Sequence, residues 1–298
     1  MRDGLVVVDK PAGWTSHDVV GKLRKVYGQR RIGHAGTLDP DATGVLLVGL
    51  GRVTRLLRFL QDAGKEYLGR VVFGIATDTL DASGAVLERT EMHLTRVQVE
   101  TVARSFIGDV EQVPPMVSAL KVGGRKLYEL ARAGQEIERA PRSVRIDKLT
   151  VTDFEPGAYP EASVRVACSS GTYIRTLAAD LGAALGGCAH LRWLRRERVG
   201  SFTLEDARSI DAIESDPDAS LLPPRDAVRA LELVEVSGDR VAAIAHGATF
   251  AASAFVGAGA GTGPFAVVND TGALLAVYER RGGGVKPAVV LVDAAAVS

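Results

Sequence analysis

Two carboxylates and an imidazole lie close together in Gly33-His34-Ala35-Gly36-Thr37-Leu38-Asp39-Pro40-Asp41-Ala42-Thr43-Gly44. Paired carboxylates can act on a glycosidic bond, one as acid or base and the other as nucleophile. The stretch is dense in Gly and Pro, so it is a loop and not the middle of a helix or strand. Pro40 biases Asp39 away from the α region, towards an extended or turn conformation. The apolar run Val45-Leu46-Leu47-Val48-Gly49-Leu50 follows and predicts a buried strand. A loop held against such a strand is a rigid place to present a side chain. Spacing alone leaves a second reading open, in which Asp39-Pro40-Asp41 is a solvated turn and His34 packs.

The elements around this loop follow from the pattern. Residues 5–8 predict a short strand, broken by Asp9-Lys10-Pro11-Ala12-Gly13-Trp14. Thr15 or Ser16 then caps a helix whose apolar face is Val19, Val20, Leu23, Val26 and Tyr27. Lys10 either holds a loop or touches a phosphate. Val53, Leu56, Leu57 and Leu60 predict a second helix. Arg52, Arg55 and Arg58 fall along one side of it, an arrangement that suits a phosphate-facing ridge. Residues 65–74 read as a strand carrying Tyr67, and the polar loop after it holds Asp78 and Asp81. Val99, Val102, Ala103 and Phe106 mark a helix ending near Gly108. Residues 121–125 predict a hairpin with Gly-Gly at its turn, and Tyr128, Leu130 and Ala131 a helix after it. Strands at 145–152 and 163–168 lead to a turn presenting Tyr173 and Arg175 at the start of a helix to about Leu185. The stretch His190-Leu191-Arg192-Trp193-Leu194-Arg195-Arg196 joins basic side chains to apolar ones.

At 298 residues the prior is about two domains. The apolar share of 46% suffices for a sizeable core. No run approaches the ~18 apolar residues of a membrane span, and the N-terminal apolar run is too short for a signal peptide. Cys168 and Cys188 lack metal-site spacing and suit a reducing compartment. No phosphate-binding loop, dinucleotide fingerprint or zinc or calcium spacing occurs, so neither metal nor cofactor is expected. The net charge is zero but unevenly placed. Residues 21–70 hold ten Lys/Arg against four Asp/Glu, and residues 121–148 eight against four. Residues 205–240 hold four against ten. A basic front half with an acidic connector fits a footprint for a polyanion.

Several motifs, in order, resemble the bacterial tRNA pseudouridine-55 synthases. They are Asp-Lys-Pro-Ala-Gly-Trp-Thr-Ser from Asp9, Gly-His-Ala-Gly-Thr-Leu-Asp-Pro from Gly33 with Ala-Thr-Gly-Val-Leu after it, and Lys-x-Tyr at Lys65. Lys-Val-Gly-Gly-Arg-Lys-Leu-Tyr from Lys121, Thr-Tyr-Ile-Arg from Thr172, and the Leu before the Arg pair at Leu194 complete the set. The resemblance covers about residues 5–202. It implies an α+β fold: a catalytic domain, 1–228, on a mixed, mainly antiparallel sheet flanked by helices, then a small β-rich RNA-binding domain of the PUA type, 229–298. It implies isomerisation of uridine 55 in the tRNA T-arm to pseudouridine, with the base flipped out of its stack. Asp39 is then the essential catalytic residue, with Tyr67 and Arg175 beside it and Arg175 pairing with Asp39. His34, Tyr173, Leu194 and Lys10 are the expected substrate-binding residues. His34 fills the vacated stack, and Tyr67 and Leu194 pack against the uracil. A cytoplasmic monomer with no cofactor is expected. Two other readings keep the same residues: a non-catalytic RNA-binding module, and a nucleoside or glycoside hydrolase using Asp39 and Asp41.

Overall fold

The computed structural model describes residues 2–116, 121–122, 125–126, 137–255 and 263–292. The chain opens with β1 (Gly4–Lys10), α1 (Ser16–Val26), β2 (Ile32–Ala35) and β3 (Thr43–Leu50). Thr15 caps α1 in a capping box, its side chain accepting from Asp18 while the Asp18 carboxylate accepts from the Thr15 backbone. Val19, Val20 and Leu23 on the inner face of α1 are buried.

The expected second helix is divided. Residues Gly51–Arg55 form a 3-10 turn, and only α2 (Leu57–Gln61) is α-helical. Then come β4 (Lys65–Phe73), β5 (Ile75–Thr77), β6 (Val86–Arg89), α3 (Arg96–Ser105) and β7 (Gly108–Gln112). The short strands β8 (Lys121–Val122) and β9 (Arg125–Lys126) pair antiparallel, as the hairpin reading requires. The Gly-Gly turn between them and the helix expected around Tyr128 lie outside the described residues. Next are β10 (Arg142–Glu155), β11 (Glu161–Cys168), α4 (Ile174–Ala184), β12 (Ala189–Val199), β13 (Phe202–Thr203) and α5 (Ile210–Ser215).

These strands build one sheet in the order β1-β3-β12-β4-β11-β10-β7, with β2 on β3 and β13 on β12. Only the β3–β12 pairing is parallel, so the sheet is mixed and mainly antiparallel, as expected. The acidic connector is no free linker. Leu222 exchanges backbone hydrogen bonds with Leu5, and Arg208 bonds the backbone of Val7 and Asp9, so residues 208–222 border the outer edge of β1. Lys22–Glu214 and Arg2–Asp218 ion pairs neutralise part of the basic front half.

A second, five-stranded sheet follows from β14 (Glu232–Glu235), α6 (Asp239–Ala245), β15 (Phe250–Ala251), β16 (Phe265–Val268), β17 (Leu274–Arg281) and β18 (Gly284–Val290). Its order is β14-β16-β17-β18-β15. One apolar cluster joins the two sheets, with Leu5, Val7, Val45 and Leu47 from the first and Ala266, Val268, Val277 and Val289 from the second. A separate cluster on the second sheet holds Phe255, Phe265 and Tyr278.

Candidate active site

The Gly-rich loop leaves β2 at Ala35 and re-enters the sheet at Thr43. Its tip is a turn in which the Ala42 amide donates to the Asp39 carbonyl over 3.2 Å. Three distant residues hold it. The Ser16 hydroxyl accepts from the Leu38 amide at 2.9 Å and donates to the Leu38 carbonyl at 3.2 Å. Lys10 Nζ donates to the carbonyls of Pro11, Trp14 and Pro40 at 2.8, 2.6 and 2.8 Å. Arg196 Nη2 donates to the Gly36 carbonyl at 3.1 Å. Gly36 and Gly44 both have positive φ, and a side chain on Gly44 would collide with the Arg196 carbonyl. The loop is therefore pinned from both flanks, and Asp39 is presented by a framework with little freedom.

Asp39 faces a cavity of about 330 Å³ lined by Gly36, Leu38, Lys65, Tyr67, Tyr173, Arg175, Leu194 and Arg196, among others. Arg175, on the first turn of α4, grips its carboxylate with two contacts: Nε to Oδ2 at 3.0 Å and Nη2 to Oδ1 at 3.3 Å. The same guanidinium reaches Asp81 Oδ2 at 3.3 Å and the Thr79 carbonyl at 3.1 Å. Asp81 is fixed in turn, its Oδ1 accepting from the Thr79 and Ser83 hydroxyls. Burial raises the Asp39 pKa from its ordinary value, Arg175 opposes that rise, and Asp81 adds to it. The turn from β11 into α4 is held by Gln112, a buried side chain that accepts from the Tyr173 amide and donates to the Tyr173 carbonyl.

Tyr67 lies on β4 opposite Arg196 of β12, with its side chain buried under the cavity. Burial raises the pKa of its hydroxyl, and the charge of Arg196 acts in the opposite direction. Leu194, two residues before Arg196 on the same strand, reaches the cavity from the same side.

Five of the seven expected site residues thus line one cavity: Asp39, Tyr67, Tyr173, Arg175 and Leu194. The other two lie elsewhere. Lys10 anchors the loop: it is fully buried, and three carbonyls accept from its Nζ. Burial lowers its pKa to about 8. His34 sits on β2 outside the cavity wall, with its ring edge-on to His17 at 6.2 Å. Burial, the largest cause, lowers the His34 pKa, and its buried Nδ1 has no hydrogen-bond partner among the described residues. Asp41 is exposed and absent from the cavity wall, so the paired-carboxylate arrangement of a hydrolase is not formed by Asp39 and Asp41. The carboxylate that does share the site is Asp81, through Arg175.

The arginines of the expected ridge each meet a group of the chain itself. Arg52 pairs with Asp3, Arg55 donates to the Val290 carbonyl at 2.8 Å, and Arg58 pairs with Glu279. Arg55 and Arg58 stitch the first sheet to the second. Gln112, Lys65 and Arg196, to which the sequence reading gave no site role, also bear on the site. Each is a buried polar side chain on a strand, and residue type alone does not reveal that burial.

The chain is similar to known proteins along most of its length. Residues 24–174 match the model of the TruB family pseudouridylate synthase N-terminal domain, and residues 175–223 that of the tRNA pseudouridylate synthase B C-terminal domain. A tRNA pseudouridine synthase B of Thermobifida fusca is 44% identical over 297 residues, covering 97% of this chain and 99% of the relative. One of Gloeobacter violaceus is 50% identical over 241 residues, covering 78% and 82%. Among solved structures, an H/ACA ribonucleoprotein bound to a substrate RNA containing 2′-deoxyuridine includes a chain similar over 97% of this one and 84% of its own length, at TM-score 0.72 and 25% identity. A chain of a Cbf5-Nop10-Gar1 complex aligns at TM-score 0.72 and 26% identity, covering 98% and 86%.

Proposed function

This chain belongs to the TruB family of pseudouridylate synthases, and on that premise we propose that it isomerises uridine 55 in the T-arm of tRNA to pseudouridine. The observation that carries the reading is the convergence of Asp39, Arg175, Tyr67, Tyr173 and Leu194, from four separate stretches of chain, on one cavity.

The reaction breaks the bond from ribose C1′ to N1 of the uracil and forms one from C1′ to C5. One proton leaves C5 and one arrives at N1, so nothing is oxidised or hydrolysed. Asp39 begins the exchange as an anion, either attacking C1′ or removing the 2′ proton to give a glycal. The two-point contact from Arg175 favours the anion against burial. The uridine must leave its stack at a cost of a few kcal/mol. Tyr67 and Leu194 close on the two faces of the flipped ring, and the uncharged ring of His34, outside the cavity, occupies the gap left behind. Lys10 acts only by holding Pro40. Tyr67 is the candidate base for the C5 proton. The second sheet serves as a PUA-like RNA-binding unit, and the protein works as a cytoplasmic monomer without a metal or cofactor.

The test uses unmodified T-arm RNA tritiated at uridine C5, in EDTA. The natural chain releases tritium and leaves a C-linked nucleoside, while Asp39→Asn binds the RNA and releases none. Free uracil in the product, or release by Asp39→Asn, would overturn the reading.

A further inference from the structure

Two arginines face the cavity, and their charges are answered differently. Arg175 contacts Asp39 and Asp81. Arg196 is 1% exposed, and among the described residues no carboxylate pairs with it. Its Nε donates to the Val45 carbonyl at 2.7 Å and its Nη2 to the Gly36 carbonyl at 3.1 Å. A guanidinium keeps its charge at working pH, and burying one without a counter-ion costs several kcal/mol. A fold that holds such a charge beside a cavity is suited to an anion that exists only during the reaction. Tyr67 sits opposite Arg196 across the β4–β12 ladder, and both residues line the cavity.

We propose that Arg196 is a positioning residue for the second half of the reaction: it orients the Tyr67 hydroxyl and supports the phenolate that takes the proton from C5. This rests on the synthase reading above. Once C1′ is joined to C5, that carbon still carries its hydrogen, and a double bond joins C6 to N1. The phenol proton passes through water to N1 as the C6–N1 pair moves there. The phenolate takes the C5 proton, and the C5–H pair becomes the C5–C6 double bond. Tyr67 ends as the phenol it was, and the base has exchanged one proton for another. Arg196 also grips Gly36, three residues before Asp39, so the group serving the second half of the reaction is tied to the loop serving the first.

The charged and titratable groups around the Tyr67 hydroxyl are Arg196 on β12, Cys168 at the end of β11 and Asp39 on the loop. Lys65 on β4 lies beside Arg196 with its Nζ donating to the Gln61 and Ala63 carbonyls. Burial raises the Tyr67 pKa, and Arg196 is the group that most opposes the rise. Removing Arg196 therefore makes the phenolate harder to form at neutral pH and easier to recover by raising pH.

The experiment compares two T-arm RNAs, one with tritium at C5 of the target uridine and one with 5-fluorouridine there, which has no C5 proton to lose. Arg196→Met is expected to slow tritium release about 100-fold, the scale of losing an effective general base, while slowing rearrangement of the fluorinated base by less than about threefold. Its tritium release should recover between pH 7 and pH 9 more steeply than that of the natural chain. Arg196→Lys, which keeps a cation on the strand, should recover part of the rate, and it carries the same two-substrate comparison if the Met variant does not fold. Equal losses on both RNAs would overturn the proposal, because a structural role or support of the detached uracil anion slows the first half as well. Failure of the natural chain on both RNAs would instead sink the synthase reading.

Discussion

Around the cavity and the loop that carries Asp39, four charged side chains are buried: Lys10, Lys65, Arg175 and Arg196, each with an exposure below 9%. In the second sheet the buried side chains are Phe255, Phe265, Val267, Leu275 and Tyr278, whose aromatic rings meet at centroid distances of 5.4 to 6.0 Å. There the buried Tyr278 carries a polar handle, its hydroxyl donating to the Ala248 carbonyl at 2.9 Å. The first region spends stability on fixed charges held by backbone carbonyls and, for Arg175, by two carboxylates, so its value lies in placing Asp39. The second gains stability by apolar burial alone and holds no reacting group. Changes in the two regions should therefore separate activity from stability.

The largest effect that sharpens this contrast is expected from Arg175→Met. Asp39 would lose the cation that opposes its raised pKa, and the catalytic anion would become scarcer as pH falls. Single-turnover activity on T-arm RNA should drop by about 10²- to 10³-fold near pH 7, with a larger loss at pH 6 than at pH 8. A loss independent of pH would place Arg175 outside the ionisation of Asp39. Intermediate in size, Phe255→Ala should cost about 3–5 kcal/mol in calorimetric or denaturant stability and leave the single-turnover rate within about twofold. A rate loss matching the stability loss would break the division. The smallest effect belongs to Arg58→Gln. Its guanidinium contacts Glu279 and Phe59 rather than pointing away from the protein, so the salt slope of tRNA binding should stay unchanged. A slope reduced by about one would return Arg58 to the phosphate ridge suggested by its spacing.

Much of the framework was legible because local chemistry decided it. Thr15 with Asp18 announces the start of α1, and the Gly- and Pro-rich run around Asp39 announces a loop before an apolar strand. The central strand β12 was not legible. Arg192, Arg195, Arg196 and Arg198 interrupt its apolar alternation, and their partners are Glu161, Asp9, backbone carbonyls and Glu66, all remote in sequence. Only the assembled sheet makes that strand affordable. Lys10 fails in the same way, since the carbonyls of Pro11, Trp14 and Pro40 leave no trace in residue type. Spacing placed Arg52, Arg55 and Arg58 on one side of their segment, but spacing cannot say whether that side meets nucleic acid or the chain's own second sheet. The site residues Asp39, Tyr67, Tyr173, Arg175 and Leu194 were named from a pattern of motifs; that they share one wall depends on the parallel contact between β3 and β12.

The apolar cluster shared by the two sheets bears on how this chain can be shortened. Leu5, Val7, Val45 and Leu47 lie on β1 and on β3, the strand that receives the Asp39 loop, and they pack with Ala266, Val268, Val277 and Val289. Cutting after residue 228 would uncover this face directly behind the loop and leave an apolar patch of the kind that drives self-association. The C-terminal sheet is thus a wall of the catalytic unit's core as well as an attachment, and a soluble shortened form would need polar replacements on β1 and β3 before any question about RNA binding could be put to it.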